Sequence, residues 1–217
     1  MVSRLFLFAV IACLPCMVSA DVMFIGDSVP LSDLEGGGTL TVGDKIFSGF
    51  NYLATGDMPD SANINVQGII DCDGNYGVRF QGAFLDLPGG GASDGLIGFN
   101  VSVAPNSSML ISDAHLAANL DVIGGGLALI TETFLPTFNN VNLSVFNDGN
   151  QQQLSDWVDF DQPVQSLPVQ KDILLLADDN GVATAFSFVD QTFSQVPEPS
   201  AAWLLMLGGL GLVTRRR

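Results

Sequence analysis

Apolar residues occupy every second position along most of this chain, and that period limits the folds open to it. In Gly95-Leu96-Ile97-Gly98-Phe99-Asn100-Val101-Ser102-Val103, the residues Ile97, Phe99, Val101 and Val103 share one face. Gly98, Asn100 and Ser102 share the other, with Leu96 the exception. A period of two is the signature of a pleated strand with one face buried. Tyr76–Gln81, Val141–Val145 and Val182–Phe188 repeat it. Further strand candidates are Thr39–Val42, Ile46–Ala54, Ile64–Ile70, Leu127–Phe134, Leu154–Phe160 and Leu167–Ala177. Only Asp113–Val122, with Leu116 and Leu120 four apart, has a weak helical spacing. Asp73-Gly74-Asn75, Asp148-Gly149-Asn150 and Asp178-Asp179-Asn180-Gly181 supply the residues that favour tight reversals. The last of these, set between two long candidates, reads as the clearest hairpin. The glycine triplets Gly36–Gly38, Gly89–Gly91 and Gly124–Gly126 read as flexible loops. None has the Lys-Ser/Thr pair of a phosphate cradle. The expected fold is all-β: a single antiparallel β-sandwich, jelly-roll or immunoglobulin-like. An N-terminal signal helix and a short C-terminal hydrophobic helix flank it.

The first twenty residues, 1–20, place Arg4 before an apolar core running from Leu5 to about Leu14, and close on Val18-Ser19-Ala20. This is the layout of a secretory signal peptide cut after Ala20. The core is short for a membrane span. Cutting there removes Cys13 and Cys16 and leaves Cys72 alone, so no internal disulfide can staple the fold. Cys72 is then free, bridged to another chain or, on the plainest reading, a small buried residue. The body, 21–195, has only Lys45, Arg79 and Lys171 as basic residues, in a chain with 23 acidic residues and net charge −16. Such a surface repels phosphates, which excludes nucleic acid and anionic lipid as partners. About 175 residues make one domain.

Catalytic patterns are scarce. His115 is the one histidine, without a serine or cysteine elbow, and reads as structural. A zinc site needs several His or Cys ligands that this chain lacks. Asp71, Asp73 and Asn75 resemble the opening of a calcium loop, but Tyr76 and Gly82 stand where such a loop needs glycine and glutamate. A hairpin turn explains them more simply. Glycoside hydrolysis needs two facing carboxylates, and the body's glutamates, Glu35 and Glu132, sit in no distinctive motif. Glu132 reads as part of a solvated strand face, or else as projecting into a groove. Carbohydrate binding needs exposed aromatic platforms, for which Trp157 and Tyr52 are the candidates. Trp157 alternates with Ser155 and Asp159, and packing beneath a loop is equally open to it. The sequons at Asn100, Asn106 and Asn142 matter only where such sites are glycosylated.

The chain closes with VPEPSAAWLLMLGGLGLVTRRR. Its apolar run, Ala201–Val213, is thirteen residues long and contains Gly208, Gly209 and Gly211. As a helix it reaches about 20 Å, short of a ~30 Å hydrocarbon core. Arg215, Arg216 and Arg217 hold its end on the cytoplasmic side, which suits a transient crossing. The Pro197-Glu198-Pro199 motif, the short apolar helix and the terminal arginines together resemble the PEP-CTERM sorting signal of Gram-negative bacteria. The resemblance covers 196–217. It implies an exosortase as partner, a brief membrane passage through residues 201–213, and release or transfer to the cell surface or extracellular matrix. In such systems substrates accompany exopolysaccharide. The resulting expectation is an exported protein, not an enzyme, with a structural or interaction role in the biofilm matrix. The alternative is a carbohydrate-binding module, with calcium as a conceivable aid and no other cofactor. A glycoside hydrolase ranks last.

Overall fold

The alternating runs assemble into two antiparallel sheets in the computed structural model, which describes residues 22–179 and 181–198. In chain order the strands are β1 Met23–Pro30, β2 Leu40–Val42, β3 Lys45–Ala54, β4 Asn65–Ile70, β5 Tyr76–Asp86, β6 Ser93–Val103 and β7 Met109–Ala118. They continue as β8 Leu127–Phe134, β9 Phe138–Asn147, β10 Gln152–Gln153, β11 Ser155–Val164, β12 Ser166–Leu176, β13 Thr184–Phe193 and β14 Gln195–Pro197. The first sheet runs β1-β4-β5-β13-β7-β11, with β14 also on β7; the second runs β10-β9-β8-β12-β6-β3-β2. A short helix, α1 (Leu31–Glu35), buries Leu31 and Leu34 after β1.

The inner faces meet through aromatic rings that each sheet contributes. Phe80 of the first sheet lies 5.7 Å from Phe99 of the second, Phe193 lies 6.2 Å from Phe47, and Phe160 lies 5.2 Å from Phe134. Val78, Leu116 and Val189 face Ile97, Val101 and Ile173 in the same core. Burial of this apolar surface is the main force joining the sheets.

Three local expectations are corrected. The weak helical spacing at Asp113–Val122 is overridden: strand β7 runs to Ala118, because Ala114, Leu116 and Ala118 alternate into the core. The turn at Asp178–Gly181 does not close a hairpin. It carries the chain from β12 in the second sheet to β13 in the first. Turn chemistry reverses the chain but does not decide whether the next strand pairs or crosses over. By contrast, Asp73-Gly74-Asn75 and Asp148-Gly149-Asn150 do close hairpins, β4–β5 and β9–β10. Nor is Gly126 a flexible linker residue: a Cβ there would lie 2.8 Å from the Leu176 carbonyl oxygen, so only glycine allows the approach.

Candidate functional site

The outer face of the first sheet gathers several residues singled out above. In the strand register Trp157 on β11 lies opposite His115 on β7, and His115 lies opposite Thr192 on β13. These three therefore share one face, and the row continues through Gly77 and Ile69 to Phe24. Trp157 is 62% exposed and Phe24 48%. The neighbouring row is Ser155, Ala117, Asp190 and Arg79. Its small Ala117 leaves a shallow depression beside Trp157, walled by His115, Asp71, Asp73, Asp156 and Asp190.

Asp71, Asp190 and His115 are each fixed in place. Asp71 Oδ1 accepts the backbone N–H of Asp73 (3.0 Å) and of Asn75 (2.9 Å). Its Oδ2 accepts from Asn75 Nδ2 (3.0 Å) and Thr192 Oγ1 (2.8 Å). Both oxygens of Asp71 thus serve the hairpin, and among the described residues no three His, Cys, Asp or Glu converge as metal ligands. Arg79 grips Asp190 along one edge of its guanidinium, Nε donating to Oδ1 at 2.6 Å and Nη2 to Oδ2 at 2.7 Å, and stacks on Phe188 with its centre 3.9 Å from the ring centroid. His115 Nε2 lies 3.2 Å from Asp113 Oδ1. That hydrogen bond raises the His115 pKa against the opposing effect of burial, with Asp71 and Asp73 adding to it. For Asp113 burial acts upward, but the hydrogen bonds from His115 and Ser194 outweigh it and hold the carboxyl below its usual range.

Other candidates fall elsewhere. Tyr52 is no exposed platform: it packs against the core, and burial pushes its hydroxyl up to about 12, with Asp60 and Glu35 adding to the shift. Glu35 is a structural acceptor for the Tyr52 N–H at 2.9 Å. Cys72 is exposed rather than buried, because the hairpin turn leaves it nothing to pack beneath. Glu132 is neither on a solvated face nor in a groove. It is fully buried and paired with Lys171, which also contacts Gln191 of the facing sheet. Spacing offered a signal for this trio. Glu132 shares parity with Ile130 and Phe134, Lys171 with Val169 and Ile173, and Gln191 with Val189 and Phe193, so each polar residue takes an apolar position. Trp157 shows the inverse, an indole on the polar parity.

The third group is the sorting motif. Pro197 ends strand β14, whose Gln195, Val196 and Pro197 pair with Ile111, Leu110 and Met109 of β7. Glu198 N–H donates to the Ser108 carbonyl at 2.7 Å, and Gln165 Nε2 donates to Glu198 Oε1 at 2.7 Å. The strand thus spans the expected boundary between body and tail at 195/196. Residues 195–217 match the family model of the PEP-CTERM protein-sorting motif. The tail carries a PEP-CTERM sorting motif. It marks an exported protein that an exosortase processes at the membrane. The PEP-CTERM segment begins inside the folded sheet, since β14 opens it. Ala20, Pro199 and Arg215–Arg217 lie outside the described residues, as do both apolar segments, 1–20 and 201–213. Among the described residues no helix is long and apolar enough to cross a membrane.

No curated protein matches the chain. Solved structures that match part of the chain include two of carbohydrate-binding modules. One is TmCBM61 in complex with β-1,4-galactotriose; the other comes from work on promiscuous specificity in carbohydrate-binding modules of the β-sandwich superfamily. Each is 10% identical with a TM-score of 0.29 over 68% of this chain, covering 88% of the first structure and 57% of the second.

Proposed function

We propose that this exported protein works at the cell surface or in the extracellular matrix of a Gram-negative bacterium, as a non-enzymatic, polysaccharide-binding component. The observation that carries the reading is Trp157, an indole 62% exposed on an otherwise polar strand face, above a depression walled by carboxylates. An indole gives a flat apolar surface against which the C–H face of a sugar ring can lie. Carboxylate oxygens that the fold does not already saturate can accept hydrogen bonds from sugar hydroxyl groups. The sorting tail brings this face to the compartment where exopolysaccharide lies. The acidic surface favours neutral glycans, because anionic ones meet like charge.

The test is retention of the mature protein on immobilised exopolysaccharide from the producing strain. Wild-type protein is retained, and W157A elutes with the void while keeping the wild-type melting temperature. Retention of W157A at wild-type strength, or no retention of the wild type, contradicts the proposal. A chelator arm reads out calcium: unchanged retention in chelator means the carboxylates contact sugar directly.

A further inference from the structure

The core contains chemistry that glycan binding does not use. Lys171 lies opposite Glu132 in the β12–β8 register and opposite Ile97 on β6. Gln191, on β13 of the other sheet, lies between Val78 and Leu116. All three polar residues are fully buried. Lys171 Nζ donates to Glu132 Oε2 and to Gln191 Oε1, and the Phe99 ring centroid is 6.0 Å away. Two atoms of the trio, Glu132 Oε1 and Gln191 Nε2, have no hydrogen-bond partner. Buried polar atoms are rarely left so.

We infer that Lys171, Gln191 and Glu132 form a self-processing cross-link site, in which Lys171 Nζ and Gln191 Cδ join as an amide that ties the two sheets covalently. Burial lowers the Lys171 pKa and raises that of Glu132, against their mutual attraction. Burial disfavours the charged form of both groups, and in the neutral form Lys171 can act as nucleophile and Glu132 as proton donor. Lys171 Nζ attacks Gln191 Cδ while Glu132 gives its proton to Gln191 Oε1. Glu132 then takes a proton from Nζ and passes it to Nε2. The Cδ–Nε2 bond breaks, ammonia leaves, and the carbonyl re-forms by returning its proton to Glu132. The new Nζ–Cδ bond replaces the old Cδ–Nε2 bond, with no oxidant or reductant. The step removes the unpartnered Nε2 from the core. It needs to run only once per chain, and fixed proximity in a dry core supplies the acceleration. Its product would staple a fold in which Cys72 is the one cysteine among the described residues and is free. A related set, with aspartate in place of glutamate, recurs at Lys45, Asp44 and Gln195, but there Asp44 reaches solvent, with 22% of its side chain exposed, and the dry environment of Lys171 is lacking.

Peptide mapping of the purified mature protein tests this directly. With an aspartate-specific protease the expected result is a branched peptide joining Lys171 to Gln191, lighter than its two linear parts by one ammonia, while trypsin leaves the bond after Lys171 uncut. Separate linear peptides carrying free Lys171 and intact Gln191 overturn the inference. So does an amide from Lys171 to Glu132, which would show loss of water instead. E132Q is expected to leave the chain uncross-linked; the branched peptide persisting in E132Q overturns the proton-carrier role of Glu132. The lysine variant K171M, mapped in parallel, keeps the test independent of whether E132Q folds, because it must lose the branched peptide while Lys45 remains cleavable.

Discussion

His115 and Asp113 show how a sheet face sets the charge of a single histidine. The folded His115 pKa lies above its ordinary value, chiefly through its hydrogen bond to Asp113. A raised pKa means that the contact stabilises the fold fully below the unfolded histidine value, and that this stability is lost as pH rises through the folded pKa. Asp113 has the opposite sign: its contribution is present above the unfolded carboxyl value and is lost as pH falls through the lowered one. Following the His115 ring resonances by NMR should give a midpoint above the ordinary histidine value. Asp113→Asn should move it down, and an unchanged midpoint would show that Asp113 does not control it. Arg79 is a second residue whose geometry exceeds its charge, since its fork holds both oxygens of Asp190 while its plane lies on Phe188. Lysine can supply neither the fork nor the stacking. Arg79→Lys is therefore expected to cost about 1.5–3 kcal/mol in denaturant unfolding.

Strand β14 joins the body to its address. Gln195 accepts a hydrogen bond from the buried Lys45, and Glu198 is tied to Ser108 and Gln165. The sorting motif therefore leaves the domain without a linker. A mature chain ending at Glu198 keeps β14; one ending at Ser194 leaves Lys45 with Asp44 alone among its side-chain partners. The shorter chain should be less stable by about 1–3 kcal/mol, the cost of a lost buried polar contact. Equal melting temperatures would show that β14 adds nothing to the body. Elements such as this were the least legible in sequence. Period two disclosed most of the longer strands, β7 excepted, but β1, β10 and β14 are too short or too irregular to show it. The turn at Asp178–Gly181 could not reveal that β12 and β13 belong to different sheets, because that depends on contacts distant along the chain.

Across the whole molecule, the polar residues of the core join the sheets as the aromatic rings do. Lys171 reaches Gln191, Lys45 reaches Gln195, and Asp86 accepts from Ser93 Oγ at 2.6 Å and from the Ala177 N–H at 2.7 Å. The three basic residues of the body all turn to internal partners, so the outside is left to carboxylates. Composition showed that imbalance but not its location; parity marked Glu132 and Lys171 as inward, although their residue types suggested solvent. Trp157, His115 and Asp71 were each visible as single residues in the sequence, the last two with structural readings. Their meeting on one face was not, since β4, β7, β11 and β13 become neighbours only once the sheet forms.

The account rests most heavily on a folded body whose last strand runs into a removable address. Mass spectrometry of the mature protein's two ends, from strains with and without an active exosortase, tests it most directly. With the enzyme, chains should begin at Asp21 and lack Arg215–Arg217, while still retaining β14. Without it, the arginine end should persist. Chains that end in Arg217 despite an active exosortase would contradict the account.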